Sequence, residues 1–330
     1  MINSKVIGQS LLLDRLNSMI SGGRVAHAYL LKGPKGIGKT TIGERFAKML
    51  LCKSFGKRPC NSCQSCIQFE SRNHPDYKYI EPRGKSIRID QIREFRQDIA
   101  IKPYQGGKKI YMIDDCHTMT QQAQNALLKT LEEPPGYAII ILGTDNVHAL
   151  LPTIISRCQT IPIRRLTSSD ICEILKSRGI AMDEAEVFAH MSAGIPGRAI
   201  DISLDENFKV LREITIDYID NIFNMRCGEL LKNTDLFMDN RESIDIILEL
   251  LVLFMRDVLI YVETGDKNLV MNRDKIPIIS LYSNSLTRGQ IRTAIENIET
   301  AQRMLDNNAN YQLTIENMLL AINGGVELCS

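Results

Sequence analysis

The sequence predicts an α/β protein with a parallel sheet wrapped in helices, followed by a largely helical remainder. Three observations carry this expectation. Short apolar runs alternate with helical stretches through the first half of the chain. A glycine-rich loop lies between the first apolar run and the helix after it. Strand signals then fade beyond Leu166. Continuous apolar strands separated by helices are the pattern of a sheet buried on both faces.

The strands read as follows. AYLLKG, from Ala28 to Gly33, is apolar and ends in glycine. YKYIEP, from Tyr77 to Pro82, alternates and stops at proline. IYMIDD, from Ile110 to Asp115, is apolar and then acidic. YAIIILGT, from Tyr137 to Thr144, is the most continuous run, and TIPI, from Thr160 to Ile163, is a weaker fifth. After Thr120, the residues Ala123, Ala126, Leu127, Thr130 and Leu131 form one helical face that Pro134-Pro135-Gly136 terminates. Thr167 to Asp170 can cap a helix, and GIPGRAID, from Gly194 to Asp201, is a break followed by a new one. Ile291, Ala294, Ile295, Ile298, Ala301 and Leu305 mark a later amphipathic helix, with a capping box from Thr287 to Gln290. Ile315, Met318, Leu319 and Ile322 mark another, expected to stop at Gly324-Gly325.

Composition narrows the class. With 330 residues, about two domains are expected, or three small ones. An apolar fraction of 44% and a charged fraction of 24% exclude disordered and collagen-like chains. Lys+Arg number 40 against 39 Asp+Glu, which argues against coating nucleic acid or a membrane by bulk charge, but leaves a local basic surface open. The apolar run from Leu250 to Met255 is cut by Arg256, far short of a membrane span. The N-terminal leucines are interrupted by Asp14 and Arg15, so no signal peptide is read and a cytoplasmic protein is expected.

GPKGIGKT, from Gly33 to Thr40, fits the phosphate-binding pattern in its expected strand-to-helix setting. Gly33, Gly36 and Gly38 let backbone amides curve around phosphate oxygens. Lys39 supplies charge, Thr40 a hydroxyl for Mg²⁺, and Thr41 follows at the helix start. The second half of such a site is an apolar strand ending in acid, here Asp114 and Asp115. Asp114 is the expected metal-holding carboxylate. Asp115 stands where water-activating ATPases usually carry Glu, and it is one methylene shorter. A misplacement of about 1 Å can cost roughly 100-fold in rate, so weak or absent hydrolysis is expected. Whether ATP, ADP or nothing occupies the loop is left open.

Nine cysteines make an odd set. Cys52, Cys60, Cys63 and Cys66 cluster with two overlapping C-x₂-C steps, in a polar stretch from about 52 to 66 without helical period. Four thiolates suit a structural, tetrahedral Zn²⁺. His74 reads as a turn residue before Pro75, and Cys116, Cys172, Cys227 and Cys329 as packing or surface residues. Lys53, Lys57 and Arg58 make the insertion mildly basic, but it lacks the aromatics of a base-stacking module.

Four motifs together carry a resemblance: GPKGIGKT, the four-cysteine insertion after it, NALLKTLEEPP from Asn125 to Pro135, and TIISRCQ from Thr153 to Gln159. The chain resembles the bacterial DNA polymerase III clamp-loader subunits, which are AAA+ proteins. The likeness is strong to about residue 165, extends through GIPGRAI, and continues only in pattern beyond it. It implies an AAA+ P-loop domain over 1–165 with a zinc-ribbon insertion, a small helical lid over 166–205, and an all-helical collar over 206–330. Within the family, HPDYKYIEP with SIRIDQIREFRQ is similar to the stationary delta prime branch, and a chain of 330 residues suits that branch. The gamma/tau motor keeps Asp-Glu where this chain has Asp114-Asp115, and ends the second strand in an acid followed by Ala-Ala-Ser. The seven-residue spacing between Cys52 and Cys60 is tight by family habit.

The resemblance assigns Arg157 as an arginine finger reaching the nucleotide of an adjacent motor subunit. It assigns Thr144 as a γ-phosphate sensor and Arg198 as a lid arginine. The implied partners are gamma/tau motor and delta subunits, with the sliding clamp and primer-template DNA met through the assembly, and no membrane. The competing expectations are the motor subunit itself and, from another class, a P-loop kinase.

Overall fold

A computed structural model of the chain describes residues 6–54, 56, 58–105, 107–222, 229 and 234–327. Lys57, Cys227 and Cys329 lie outside them. Two compact units separate. One holds the described residues up to Ile174 together with Ala193–Arg198; the other holds Leu175–Ser192 and those from Ala199 onward.

The first unit begins with α1 (Ser10–Ser21), β1 (Ala28–Lys32), α2 (Lys39–Leu51), α3 (Gln64–Glu70), β2 (Tyr77–Ile80) and α4 (Ile89–Ile99). It continues with β3 (Lys109–Ile113), α5 (Gln121–Glu132), β4 (Ala138–Thr144), the short α6 (Pro152–Ile155), β5 (Gln159–Pro162) and α7 (Ser168–Lys176), whose last two residues belong to the second unit. The five strands form one parallel sheet in the order β2-β3-β4-β1-β5.

Both faces are covered, and residue parity assigns each face. Leu30, Tyr111, Ile113, Ile140 and Leu142 pack against Ile92, Phe95 and Ile99 of α4 and Ala123, Leu127 and Leu131 of α5. Tyr29, Leu31, Ile110, Met112, Ile139 and Ile141 pack against Ile42, Phe46 and Met49 of α2 and Leu16 of α1. Successive residues point to opposite faces, so a sheet covered twice needs apolar residues at consecutive positions. All seven residues of the central strand β4 are buried. Each large aliphatic side chain so buried contributes about 1.5–3 kcal/mol. The approach of α2 to the sheet is close enough that a Cβ on Gly43 would lie 2.7 Å from Met112 Sδ.

The caps expected from sequence are present. Thr120 Oγ1 accepts from Ala123 N at 3.3 Å at the start of α5. Thr167 and Asp170 exchange hydrogen bonds at the start of α7. The cysteine stretch departs from expectation in one respect: α3 starts inside it, directly after Cys63.

The second unit contains α8 (Met182–Met191), most of α9 (Pro196–Leu204), α10 (Glu206–Ile222), α11 (Asp235–Asp239), α12 (Ile244–Thr264), α13 (Ile276–Ser285), α14 (Arg288–Asp306) and α15 (Tyr311–Glu327). Its core gathers around α12, where Ile247, Leu248, Leu251, Phe254, Met255 and Val258 are buried. The capping box of α14 is formed: Thr287 Oγ1 accepts from Gln290 N, and Gln290 Oε1 accepts from Thr287 N. Ile315, Met318, Leu319 and Ile322 are buried as the pattern requires. The expected stop at Gly324-Gly325 is not observed, because α15 continues to Glu327. Glycine in a helix costs only about 1 kcal/mol relative to alanine, less than the packed turns before it supply. No described helix is long and apolar enough to cross a membrane.

One buried carboxylate organises this unit. Asp257 of α12 is 1% exposed, and accepts from Met271 N, Asn272 N and Asn272 Nδ2 at 2.7–2.9 Å. The same loop is held to α10 by Arg212, which bonds Asn272 Oδ1 and Asp274 at 2.8 Å. Replacing Asp257 by Ala strands three donors, two of them on buried Asn272, so we expect a loss of about 3 kcal/mol or more. Denaturant unfolding followed by helical circular dichroism checks this; a shift under 1 kcal/mol, of the order of an ordinary surface change, would contradict it.

Candidate nucleotide site and cysteine cluster

The phosphate loop runs from the end of β1 into α2. Gly36 and Gly38 adopt φ of +79° and +97°, a left-handed conformation that only glycine takes without strain. Lys39 follows at the helix start. It is 6% exposed, and its Nζ reaches the carbonyls of Gly33 and Pro34 at 3.0 and 3.2 Å. Among the described residues it has no carboxylate partner. A buried ammonium on carbonyls alone is electrostatically incomplete, and an anion at the helix N-terminus would complete it. The loop therefore fits a phosphate-bearing ligand.

Asp114, directly after β3, is held from two sides. Thr40 Oγ1 donates to its Oδ2 at 2.5 Å, and Tyr79 Oη donates to the same oxygen at 3.0 Å. Its Oδ1 accepts from Asp115 N at 3.0 Å. Gly143 of β4 makes room for this carboxylate, since a Cβ there would lie 2.7 Å from Asp114 Oδ1. Asp115 takes a left-handed φ of 44° and turns the chain out of the strand. Thr144 is fully buried at the end of β4, and its Oγ1 accepts from Asn146 N at 3.1 Å. Gly197 closes on the loop: its N–H donates to Gly36 O at 2.9 Å, and a Cβ there would meet Gly36 Cα at 2.7 Å. The backbone of Arg198 starts at that contact. Thr41 is exposed on the first turn of α2.

Arg157 stands apart from this set. It lies between α6 and β5, and its Nη2 pairs with Glu132 at 2.9 Å while Nη1 donates to Thr153 O at 3.0 Å. Glu132 ends α5, so this pair joins the LLKTLEEPP and SRC motifs. Cys158 beside it packs against the sheet core, and burial pushes its thiol up to about 12.

The four cysteines converge. The sulfurs of Cys52, Cys60, Cys63 and Cys66 all lie within 4.8 Å of one another, and Cys60 and Cys66 are 4.0 Å apart. Zn–S bonds of about 2.3 Å in a tetrahedron put sulfurs about 3.8 Å apart. Backbone N–H groups of Cys60 and Cys63 point at the sulfurs of Cys52 and Cys60, 3.4 and 3.3 Å away. Hydrogen bonds from Ser62 and Cys63 hold the Cys60 thiol down at about 5, whereas burial pushes Cys66 up. A thiolate donor set with amides aimed at it fits a metal cation.

Side chains that the sequence did not single out tie this cluster to the sheet domain. Buried Lys48 of α2 bonds Asn61 Oδ1 at 2.7 Å and pairs with Glu70 of α3. His74 is 6% exposed and is not a member of the sulfur set; its ring bonds Ser65 Oγ at 2.9 Å and accepts from Asp76 N at 3.1 Å. Burial lowers its pKa, with the Asp76 charge opposing. A lysine amid the apolar positions of α2 was the available signal for Lys48; nothing local marked Tyr79 or Glu132.

Residues 8–167 match the family described as "DNA polymerase III, delta subunit", and residues 213–324 match "DNA polymerase III, delta subunit, C terminal". The delta' subunit of Bacillus subtilis DNA polymerase III is 30% identical over 320 residues, covering 96% of this chain and 97% of that protein. The chain belongs to the delta' family of DNA polymerase III subunits. The delta' subunit of Pseudomonas aeruginosa is 42% identical over 142 residues, 42% of this chain and 43% of that protein. The gamma subunit of Buchnera aphidicola from Schizaphis graminum is 36% identical over 173 residues, 52% of this chain and 47% of that one. The likeness to that gamma subunit thus spans about half of either chain, whereas the Bacillus delta' subunit is matched nearly end to end.

Gly143 offers a direct check on the Asp114 arrangement. Gly143→Ala must displace the carboxylate or the sheet, so we expect about 1–3 kcal/mol of destabilisation. Thermal unfolding measures it, and an unchanged melting temperature would show that the carboxylate does not need that space.

Proposed function

We propose that the chain is the delta prime-type subunit of a DNA polymerase III clamp loader, serving ATP-driven motor subunits that place the sliding clamp on primed DNA. The observation that supports this most is the end-to-end likeness to the Bacillus delta' subunit. The site residues add the mechanism. Arg157 leaves Glu132 and enters the nucleotide site of a neighbouring motor subunit, where its guanidinium spreads charge over the transferring phosphoryl oxygens. Release is inexpensive, since an exposed ion pair is worth only about 0–1 kcal/mol. The chain's own loop binds ATP or ADP with Mg²⁺ through Gly33, Gly36, Gly38, Lys39, Thr40 and Asp114, with Thr144 and Arg198 reading the phosphates. Asp115 is too short to activate water well, so this loop turns over slowly or not at all.

In the same reading, residues 1–165, 166–205 and 206–330 act as AAA+ P-loop domain, lid and collar, and the collar packs on equivalent regions of gamma/tau and delta subunits. The protein works in the cytoplasm. Cys52, Cys60, Cys63 and Cys66 hold a structural Zn²⁺ that fastens α3 to α2. The intact phosphate loop favours a second reading, a gamma/tau-type motor, and robust ATPase by the isolated chain would select it.

Arg157→Ala is expected to leave the fold intact and to lower DNA-stimulated ATPase of the reconstituted loader by roughly 10³-fold at the neighbouring site. A loader carrying the change that hydrolyses ATP normally would remove the trans role. Metal analysis is expected to find about one zinc per chain, and chelation to lower the melting temperature. A zinc-free chain of unchanged stability would exclude the structural metal.

A further inference from the structure

Tyr77, Tyr79 and Glu81 alternate along the outermost strand β2 and its continuation, so they share one face of the sheet edge. Together with Thr40 and Glu44 of α2, and with Phe69 and Arg72 at the end of α3, they line an open pocket of about 410 Å³. It lies outside the phosphate loop yet touches it through Thr40, and through Tyr79, whose hydroxyl bonds Asp114.

The polar groups of this pocket do not satisfy one another. Tyr77 Oη is buried without a hydrogen-bond partner. Among the described residues, Glu44 and Glu81 have no side-chain hydrogen bond or ion pair. Burial pushes the Glu44 carboxyl above its ordinary range; the Arg72 charge pulls it back, and the Asp114 and Glu70 charges push it further up. Glu44, Glu81 and neighbouring Asp114 thus outnumber the one cation of the lining, Arg72. Arg72 holds a left-handed φ of 58°, a conformation that costs about 1 kcal/mol or more in a non-glycine residue.

We infer that this pocket receives the guanidinium of an arginine presented by a neighbouring protein chain. A planar cation stacks on tyrosine faces, forks to carboxylates and donates to a phenolic oxygen, which are the functions the lining leaves unused. A lysine ammonium offers no such fork and no flat face. The pocket is open, so a side chain can enter from outside. The arriving charge sits one hydroxyl away from Asp114, so docking of the partner is felt at the metal-binding carboxylate. The inference rests on the reading of the chain as a subunit of a larger assembly; it makes the chain an acceptor of an arginine as well as a donor of one.

The zinc-loaded full chain is titrated with N-acetyl-arginine methylamide, and separately with the citrulline analogue, which keeps the shape without the charge. Saturable shifts of the Tyr77 and Tyr79 side-chain NMR signals are expected with the arginine compound. The citrulline compound, Glu44→Gln and Tyr77→Phe are each expected to weaken binding about tenfold, as loss of a charge-assisted or buried hydrogen bond does. Equal binding of the two compounds, or unchanged affinity in both variants, overturns the inference. In a second arm the variants are mixed with the purified motor subunit. Weaker assembly supports the pocket. Variants that assemble as the wild type does overturn the inference and leave the clamp-loader reading standing. A wild-type chain that fails to assemble removes that reading instead, and the titration still decides the pocket. Because Glu44 has no hydrogen-bond or ion-pair partner among the described residues, Glu44→Gln is expected to keep or raise the melting temperature; a clear loss would make Glu44 structural and overturn the proposal.

Discussion

Covering both faces of the five-stranded sheet is the constraint from which the rest of the first unit follows. With α1 and α2 on one face and α4 and α5 on the other, no side chain in the middle of β3 or β4 reaches a ligand. Chemistry is confined to the strand ends, as is general for open parallel sheets. The loop after β1, the acids after β3 and Thr144 at the end of β4 meet there. Parallel pairing places those ends side by side: β1 pairs with β4, and β4 with β3. Asp114 is the point where this convergence is tightest, with donors from α2 and β2 on one oxygen and a glycine of β4 beneath the other.

Arg157 is not part of this convergence. It lies beyond α6, where the chain returns to the sheet edge, and its partner is Glu132 rather than any member of the nucleotide set. Its side chain is about one-third exposed. An ion pair so placed gives little stability. It does hold a long side chain in one orientation. Such a pair combines order with easy release, whereas separating a buried pair costs several kcal/mol.

The strands were legible from sequence because both-face burial makes them continuously apolar. The expected runs at Ala28, Tyr77, Ile110, Tyr137 and Thr160 each begin within one residue of an observed strand. The phosphate loop and the cysteine quartet were legible because their residues are neighbours in sequence, and the structure does gather the four sulfurs. Tyr79 with Asp114, Lys48 with Glu70 and Glu132 with Arg157 were not, because each joins elements far apart in the chain and no local pattern encodes the partner. The helix end at Gly324-Gly325 was misread for a related reason: propensity is local, whereas the buried turn at Ile315, Met318, Leu319 and Ile322 that carries the helix onward is tertiary.

Those long-range pairs change how the cysteine insertion is understood. A metal loop hung from two chain ends could move independently of the site. Here buried Lys48 spends its charge on Asn61 and Glu70, while Ser65 bonds Leu51 O and His74. Lys48 lies two turns along the helix that Lys39 and Thr40 begin. The insertion is thus tied to the same helix whose first turn carries Lys39 and Thr40, the candidate phosphate-binding side chains. The insertion also carries α3, whose Phe69 and following Arg72 wall the pocket beside Thr40. The cysteine cluster, α2 and the outer edge of the candidate nucleotide site are therefore joined by hydrogen bonds and an ion pair that run through α3 and Lys48.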